Sequence, residues 1–431
     1  MVCGSAYPVS LTASTRYAET RRVKEGATTE KRIRPARRGG VPAAFMVLAL
    51  ASVSSAARAE DGTDSPVEVH GFVSQGFIKT TENNYLAADS TRGSFEFTEA
   101  GINFTKPLTD KLRAGIQLFA HDLGPLGNYS PQFDWFYLDY RFWDWLGIRA
   151  GRTKLPFGLY NETNDIDAAR VPVLLPQSLY PVQNREFLLA QTGGEIYGIV
   201  PLGEAGEAEY RGYGGTIFLD TSNSLTELSE FQVPYLVGGR LMWLAPLEGL
   251  QLGGSVQALR LDFDFQPSAE QVAEFEAAGQ LPPDFSGTVS ARIPALLWIA
   301  SLEYQLGELS LAAEYGRSYA KAETSLLLPE TRSTTEGFYG LATYRVTPWF
   351  TPGIYYSVLN PSLGQRTGRS AYQRDLALTF RYDLNAHWLL KLEGHYMRGT
   401  AALRADLNDG APLNTLAKRW GVLLIKTTAY F

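Results

Sequence analysis

The chain has 431 residues, of which 45% are hydrophobic, 12% aromatic and only 19% charged. This composition excludes an intrinsically disordered protein, which would be poor in apolar residues and rich in charge. The single cysteine, Cys3, excludes a disulfide framework and a cysteine metal site. A net charge of −6 argues against nucleic acid as a partner, because phosphates attract basic surfaces.

The N-terminus has the order of a secretory signal peptide. A basic stretch (KRIRPARRGG, 31–40) precedes an apolar run that ends in small residues before an acidic pair. We predict a signal peptide over 1–59, with a start after Met1 as an alternative because the basic lead is long, and a short lead over 60–66. A membrane anchor is disfavoured, since the apolar run is too short for a spanning helix. Removal of 1–59 would leave 29 basic and 42 acidic residues and a net charge of −13.

Period-two alternation, which is typical of β-strands, follows over segments of about ten residues. Clear examples are LRAGIQLFAH (112–121), LALTFRYD (376–383) and LLKLEGHY (389–396). Such strands are longer than the ~5–6 residues usual in soluble sheets and match the ~9–11 residues that cross a bilayer. We predict an all-β fold, a transmembrane antiparallel β-barrel of about 16 strands over 67–431. A large soluble all-β protein is the alternative.

The connections alternate between short and long, which is typical of bacterial outer-membrane barrels. Short turns are predicted at 108–111, 142–147, 245–249, 306–308, 347–349 and 383–387. Long loops are predicted near 82–92, 123–132, 154–189, 221–233, 266–287, 323–333, 360–372 and 400–417.

The chain ends on an aromatic residue, Phe431, within an alternating pattern. Because lipid offers no hydrogen bonds, a sheet in a bilayer must close. We therefore expect the final strand to pair with the first, near 67–79. Aromatic residues near the short turns are predicted to form interfacial girdles; they are Phe142, Trp143, Trp145, Trp243, Trp349, Phe350 and Trp388.

The sequence resembles Gram-negative outer-membrane porins, in particular the branch of phosphate-selective porins O and P and related putative porins. The terminal TTAYF and the segment GIRAGRTKLPFGLYNETNDIDAARVPVLLPQSLYP (147–181) carry this resemblance. It implies a homotrimeric channel in outer-membrane lipid and lipopolysaccharide, inserted by the barrel insertion machinery that reads Phe431 as an assembly signal. The chain departs from a dedicated phosphate channel because no strong lysine cluster is evident.

The long loop 154–189 is predicted to fold into the barrel as a constriction, because a structureless loop of this length needs a role. Its apolar residues Val173, Leu174, Leu175 and Tyr180 would pack against the wall. We expect a wall arginine cluster opposed by loop carboxylates, which would set ion selectivity. The predicted constriction residues are Arg113, Asp139, Arg141, Arg149, Arg152 and Lys154 on or near the wall, and Glu162, Asp165, Asp167, Arg170, Arg185 and Glu186 on the loop.

The expected function is passive diffusion of small hydrophilic solutes and ions. The alternatives are a porin specific for an anion or an oligosaccharide, for which Trp135 and Tyr137 could line a path, and a surface receptor or adhesin. No enzyme is expected, since no G-x-S-x-G elbow or histidine pair at metal-ligand spacing is present, and no metal or cofactor is predicted. Segment 268–279 is predicted to be a short helix that Ser268 and Gln271 cap and Gly279 ends.

Overall fold

The computed structural model describes residues 66–184, 189–218 and 228–431, so the predicted signal peptide lies outside the described residues. Sixteen strands form one closed antiparallel barrel, which confirms the predicted fold class. They are β1 Glu68–Thr80, β2 Phe97–Pro107, β3 Leu112–Leu123, β4 Gln132–Trp143, β5 Leu146–Lys154, β6 Ala190–Pro201, β7 Glu207–Ile217, β8 Leu228–Leu244, β9 Leu250–Phe265, β10 Val289–Leu306, β11 Leu309–Thr324, β12 Thr331–Tyr344, β13 Phe350–Asn360, β14 Gln373–Asn385, β15 Trp388–Gly399 and β16 Arg419–Tyr430.

Each strand pairs with its neighbours in the chain, and β1 pairs with β16 to close the barrel. The seam extends to the last residue. Phe431 N–H donates to the Gly71 carbonyl at 3.0 Å, and Gly71 N–H donates to the Phe431 carbonyl at 3.1 Å. The expected pairing of the chain ends is therefore confirmed, and no sheet edge is left at the seam.

Alternation along the strands separates two faces of the barrel. On β15, Lys391, Glu393 and His395 are buried, whereas Leu392 and Tyr396 are exposed. We call the first set the inner face and the second the outer face, because a closed barrel buries side chains inside and presents apolar ones to lipid. The side-chain period of two thus gives each strand an inner and an outer side, and the inner side carries both polar and apolar residues.

Seven short turns join the strands at one end of the barrel, and longer connections join them at the other. The turn between β4 and β5 is shorter than the predicted 142–147. Trp143 pairs with Leu146, so only two residues remain in the turn. The turn 202–206 between β6 and β7 was not predicted. The longer connections are 81–96, 124–131, 155–189, 218–227, 266–288, 325–330, 361–372 and 400–418.

The connection between β9 and β10 contains one α-helix, α1, at Ala269–Ala277. Ser268 and Gln271 form the predicted capping box, and Gly279 follows the helix with φ of +66°. The predicted helix is confirmed. In the described part of the chain, no helix is long and apolar enough to cross a membrane.

The outer face is apolar and carries exposed aromatic residues near the short turns. Trp143 and Trp145 stack with parallel rings 5.3 Å apart, and Trp349 and Trp388 are exposed at neighbouring turns. An apolar band between aromatic girdles is the surface that a bilayer and its interfaces require. The chain therefore has the fold and the surface of a transmembrane β-barrel.

Candidate pore constriction

The connection between β5 and β6 spans 155–189, and we call its described part, residues 155–184, the β5–β6 segment. Its regular structure consists of single 3-10 turns at Asn161–Thr163, Asp167–Ala169 and Val182–Asn184. The remaining backbone groups of the segment need partners elsewhere, since buried peptide groups are almost always hydrogen-bonded.

Glu314 on β11 provides the first set of partners for the segment. Its carboxylate accepts the N–H of Leu159 at 2.9 Å and the hydroxyls of Tyr180 and, at 2.7 Å, of Tyr339. The carboxylate is buried, so these donors replace the water that it loses. Gly158 has φ of +72°, and a Cβ there would lie 2.3 Å from the Tyr180 hydroxyl, so only glycine fits this approach.

Glu393 on β15 provides the second set. Its two carboxylate oxygens accept the N–H groups of Val173 at 2.7 Å and Leu174 at 3.0 Å. His395, two residues further on the same face, lies between Glu393 and Asp375, with nitrogen–oxygen distances of 3.0 Å to each. The imidazole thus holds the carboxylate in the orientation that binds the segment.

Asp167 provides an ionic attachment to the last two strands. Its carboxylate lies 2.9 Å from Lys391 Nζ and 3.4 Å from Lys426 Nζ, and accepts the Thr428 hydroxyl at 2.7 Å. Burial alone would raise the pKa of Asp167, but the two ammonium groups, with Arg170 nearby, hold this pKa well below its usual range. The carboxylate is therefore charged and fully paired.

Apolar side chains of the segment pack in two clusters with strand residues. The first cluster contains Leu155, Phe157 and Leu175 together with inner-face residues of β7 to β14. The second contains Val173 and Leu174 together with residues of β1, β2, β3, β15 and β16. Leu179 and Tyr180 complete the first. The segment thus contacts a large arc of the inner face through dry, apolar packing.

The inner face from β3 to β8 also carries a chain of alternating charges. Asp139 on β4 lies between Arg113 at 2.9 Å and Arg149 at 3.3 Å. Glu195 on β6 lies 3.4 Å from Arg149 and pairs on its other side with Arg211 of β7. We call these residues the arginine wall.

Two tyrosine rings cover part of the arginine wall. The Arg149 guanidinium lies 4.8 Å from the ring centroid of Tyr137 and 5.1 Å from that of Tyr197. The Tyr197 hydroxyl donates to Asp139 at 2.5 Å. Cation–π contacts and ion pairs together fix the guanidinium in one position.

Glu162 joins the segment to the arginine wall. Its carboxylate lies 3.1 Å from Arg211 and 2.9 Å from Arg240 on β8. Burial raises the pKa of Glu162, but Arg211 and Arg240 outweigh this effect and lower the pKa overall. Glu162 is thus ionised at neutral pH.

Asp165 joins the segment to the wall at a second point. It pairs with Lys154, which also lies 2.9 Å from Asp134, and it accepts the Gln117 amide at 2.8 Å. Between this contact and that of Glu162 lies a cavity of about 230 Å³ against β2 to β5. Trp135 and Tyr137 line it from the wall, and Ile166 lines it from the segment.

Several predicted residues lie away from this cavity. Arg141 lies at the end of β4, exposed and paired with Asp144 at 3.1 Å. Arg152 donates to the carbonyl of Asp134 at 2.9 Å. It is paired across β4 and β5 with Phe136, which lies on the outer face. Arg170 bonds within the segment, to the carbonyls of Asn164 and Val173.

Asp167 was expected to oppose the arginines, but it pairs with Lys391 and Lys426 instead, because the segment reaches the other side of the barrel. Arg185 and Glu186 lie outside the described residues.

Sequence reasoning missed Glu195, Arg211 and Arg240, the residues that continue the arginine wall on β6 to β8. It also missed Glu314 and Glu393 as attachments of the segment. The alternation in 389–396 already placed Glu393 on the polar face, so this residue was available as a candidate. Across the described ranges, no group of three or more His, Cys, Asp or Glu could hold a metal ion.

No protein-family model and no curated protein matches this sequence. Among solved structures, OmpT from the outer membrane of Vibrio cholerae matches with a TM-score of 0.51 and 11% identity, over 85% of this chain and 97% of that chain. An anion-selective porin from Comamonas acidovorans matches with a TM-score of 0.50 and 12% identity, over 85% and 99%.

The trimer form of Vibrio cholerae OmpT gives a TM-score of 0.50 at 12% identity, over 85% of this chain and 99% of that chain. At these identities the likeness shows the fold alone. The fold is therefore that of a porin-type barrel, and the resemblance to phosphate-selective porins stays a prediction.

Proposed function

We propose that the protein is a passive channel of the outer membrane for small hydrophilic solutes and ions, and not an enzyme. The observation that carries this proposal is the uneven placement of the β5–β6 segment. Its apolar clusters lie against β7 to β16 and β1 to β3, and carboxylates of β11 and β15 accept its N–H groups. The cavity lies between the segment and β2 to β5, where most of the lining side chains are polar or charged.

In this proposal the segment folds into the barrel as a constriction and leaves an eccentric path along the arginine wall. A 16-stranded barrel is otherwise wide enough for an aqueous channel. Arg113, which is half exposed, and Arg149 would face the permeating ion from the wall. Glu162 and Asp165 would face it from the segment, and the balance of these charges would set ion selectivity.

The assembly is proposed to be a homotrimer in outer-membrane lipid and lipopolysaccharide. The existence of a trimer form among proteins with this fold supports it. Phe431 is proposed as the residue that the barrel insertion machinery reads, with its side chain exposed at the seam.

Single-channel conductance in a planar bilayer tests the channel. We expect stepwise conductance, in groups of three for a trimer, and a reversal potential in a salt gradient whose sign reports which charges dominate. A folded, heat-modifiable barrel that gives no conductance would contradict the proposal and favour a surface receptor or adhesin.

A further inference from the structure

The cavity beside the arginine wall has an aromatic floor. Trp135 and Tyr137 alternate on β4, so both rings lie on its inner face, stacked with centroids 5.3 Å apart and planes at 20°. Both rings lean over Gly115 of β3, where a Cβ would lie 2.9 Å from the Trp135 ring and 3.0 Å from that of Tyr137. The missing side chain leaves room for the stacked rings against the wall.

The β5–β6 segment also contributes one apolar side chain to this cavity. Ile166 of the β5–β6 segment lines the same cavity and is 42% exposed, although it is surrounded by polar residues. An exposed aliphatic side chain across a cavity from two stacked rings forms a slot whose opposite sides both suit an apolar ring face.

The ionisable groups of the cavity balance each other. Arg149 and Lys154 supply two positive charges, and Glu162 and Asp165 supply two negative ones. All four are held by ion pairs with neighbouring side chains, so they are fixed in position and their remaining hydrogen-bonding capacity faces a defined space. An anion would meet the two carboxylates, and a cation would meet the guanidinium and the ammonium.

From this combination we infer that the cavity is a binding subsite for a pyranose unit of a neutral saccharide. A pyranose has an apolar C–H face, which would lie on the ring of Trp135, while Tyr137 supports that ring from the side and is itself covered by Arg149. The pyranose hydroxyls both donate and accept, so they can use the carboxylates of Glu162 and Asp165 as well as Arg149 and Lys154. The inference deepens the proposed function, because it names the solute class that the channel would select.

Calorimetric titration of maltotriose into the folded, full-length barrel in detergent tests the subsite without requiring conductance. We expect saturable binding that weakens about tenfold in Trp135→Ala, equivalent to about 1.4 kcal/mol. Trp349→Ala, which removes an exposed ring of the outer face, is the matched control and should bind as the unchanged protein does. Heat-modifiable migration verifies that each variant is folded.

Gly115→Val provides a second variant, since it displaces both rings without removing them and should also weaken binding. Absence of saturable binding, or equal binding by the unchanged protein and Trp135→Ala, would overturn the inference. The cavity is also tested with inorganic phosphate. If phosphate binds, Lys154→Gln abolishes this binding and Trp135→Ala leaves it intact, then the cavity is an anion site and the saccharide inference is wrong.

Conductance is measured on the same preparations. If the barrel conducts and binds no maltotriose, the subsite inference is wrong and the channel proposal stands. If the barrel binds maltotriose through Trp135 and does not conduct, the channel proposal is wrong and the binding site stands.

Discussion

Glu393 accepts a hydrogen bond from the backbone N–H of Val173 at 2.7 Å, although 220 residues separate the two in the chain. The bond joins the β5–β6 segment to a strand on the far side of the barrel. It shows how a connection with little regular structure can have a defined conformation: its peptide groups are satisfied by side chains of the barrel wall.

Replacing Glu393 should loosen the segment. Glu393→Ala leaves two buried N–H groups without acceptors and removes a partner of His395, and breaking a buried charged pair costs about 3–5 kcal/mol. We expect larger and noisier single-channel conductance. Glu323→Ala, which removes an exposed carboxylate on β11 paired with Lys321, is the control and should leave conductance unchanged. Identical traces for the two variants would show that this attachment does not control the opening.

Neutralising the arginine wall should shift ion preference toward cations. Arg113→Gln combined with Arg149→Gln removes two positive charges and leaves Asp139 without its ion-pair partners. The reversal potential in a salt gradient measures the shift. Arg141→Gln also removes an arginine, but one that pairs with Asp144 at an exposed turn, so it should have little effect. A double variant with an unaltered reversal potential would remove the arginine wall from the selectivity mechanism.

The carboxylate of Asp167 should lose its charge only in acid. Its pKa in the folded protein lies below the unfolded value of about 3.9, so its contribution to stability is complete above that pH. The contribution is lost as the pH falls below about 4 toward the folded pKa. We expect the gel-shift temperature of the unchanged protein to exceed that of Asp167→Asn by a constant amount from pH 7 to about pH 5, and the gap to narrow below about pH 4.

Asp110→Asn, at an exposed turn, is the control and should follow the unchanged protein at every pH. A gap between the unchanged protein and Asp167→Asn that already narrows near neutral pH would mean that the carboxyl is not held charged by its lysines.

Phe431→Ala should impair assembly in cells more than folding in vitro. The backbone of residue 431 would still bond to Gly71, and the lost side chain is more than half exposed. We expect less folded barrel in the outer membrane, measured by heat-modifiable migration, with refolding into detergent unchanged. Trp388→Ala, a neighbouring exposed aromatic residue, is the comparison. If both variants accumulate equally in the membrane, the terminal aromatic is not a specific signal.

Local pattern predicted the barrel well because strand identity depends on neighbouring residues. In the eight residues 389–396, Lys391, Glu393 and His395 alternate with mostly apolar residues. This pattern predicts both the strand and which of its side chains lie on the inner face. The turn 202–206 was missed even though Gly203 and Gly206 marked it, with φ of +65° and +87°. Glycines at this spacing are a usable turn signal.

The candidate site was less predictable because its contacts are distant in sequence. Asp167 and Lys391 lie 224 residues apart, and periodicity says nothing of which loop meets which strand. The barrel register brings Arg211 and Arg240 opposite each other on β7 and β8, beside Glu162. Only the closed sheet shows that these three charges form one group.

The strands that hold Asp167 also take part in closing the barrel. Lys391 lies on β15, and Lys426 and Thr428 lie on β16, which also forms the seam with β1. The ionic attachment of the β5–β6 segment therefore depends on strand β16, which also closes the sheet. Closure of the wall and fixation of the segment thus share one structural basis, so a chain without β15 and β16 would lose both together.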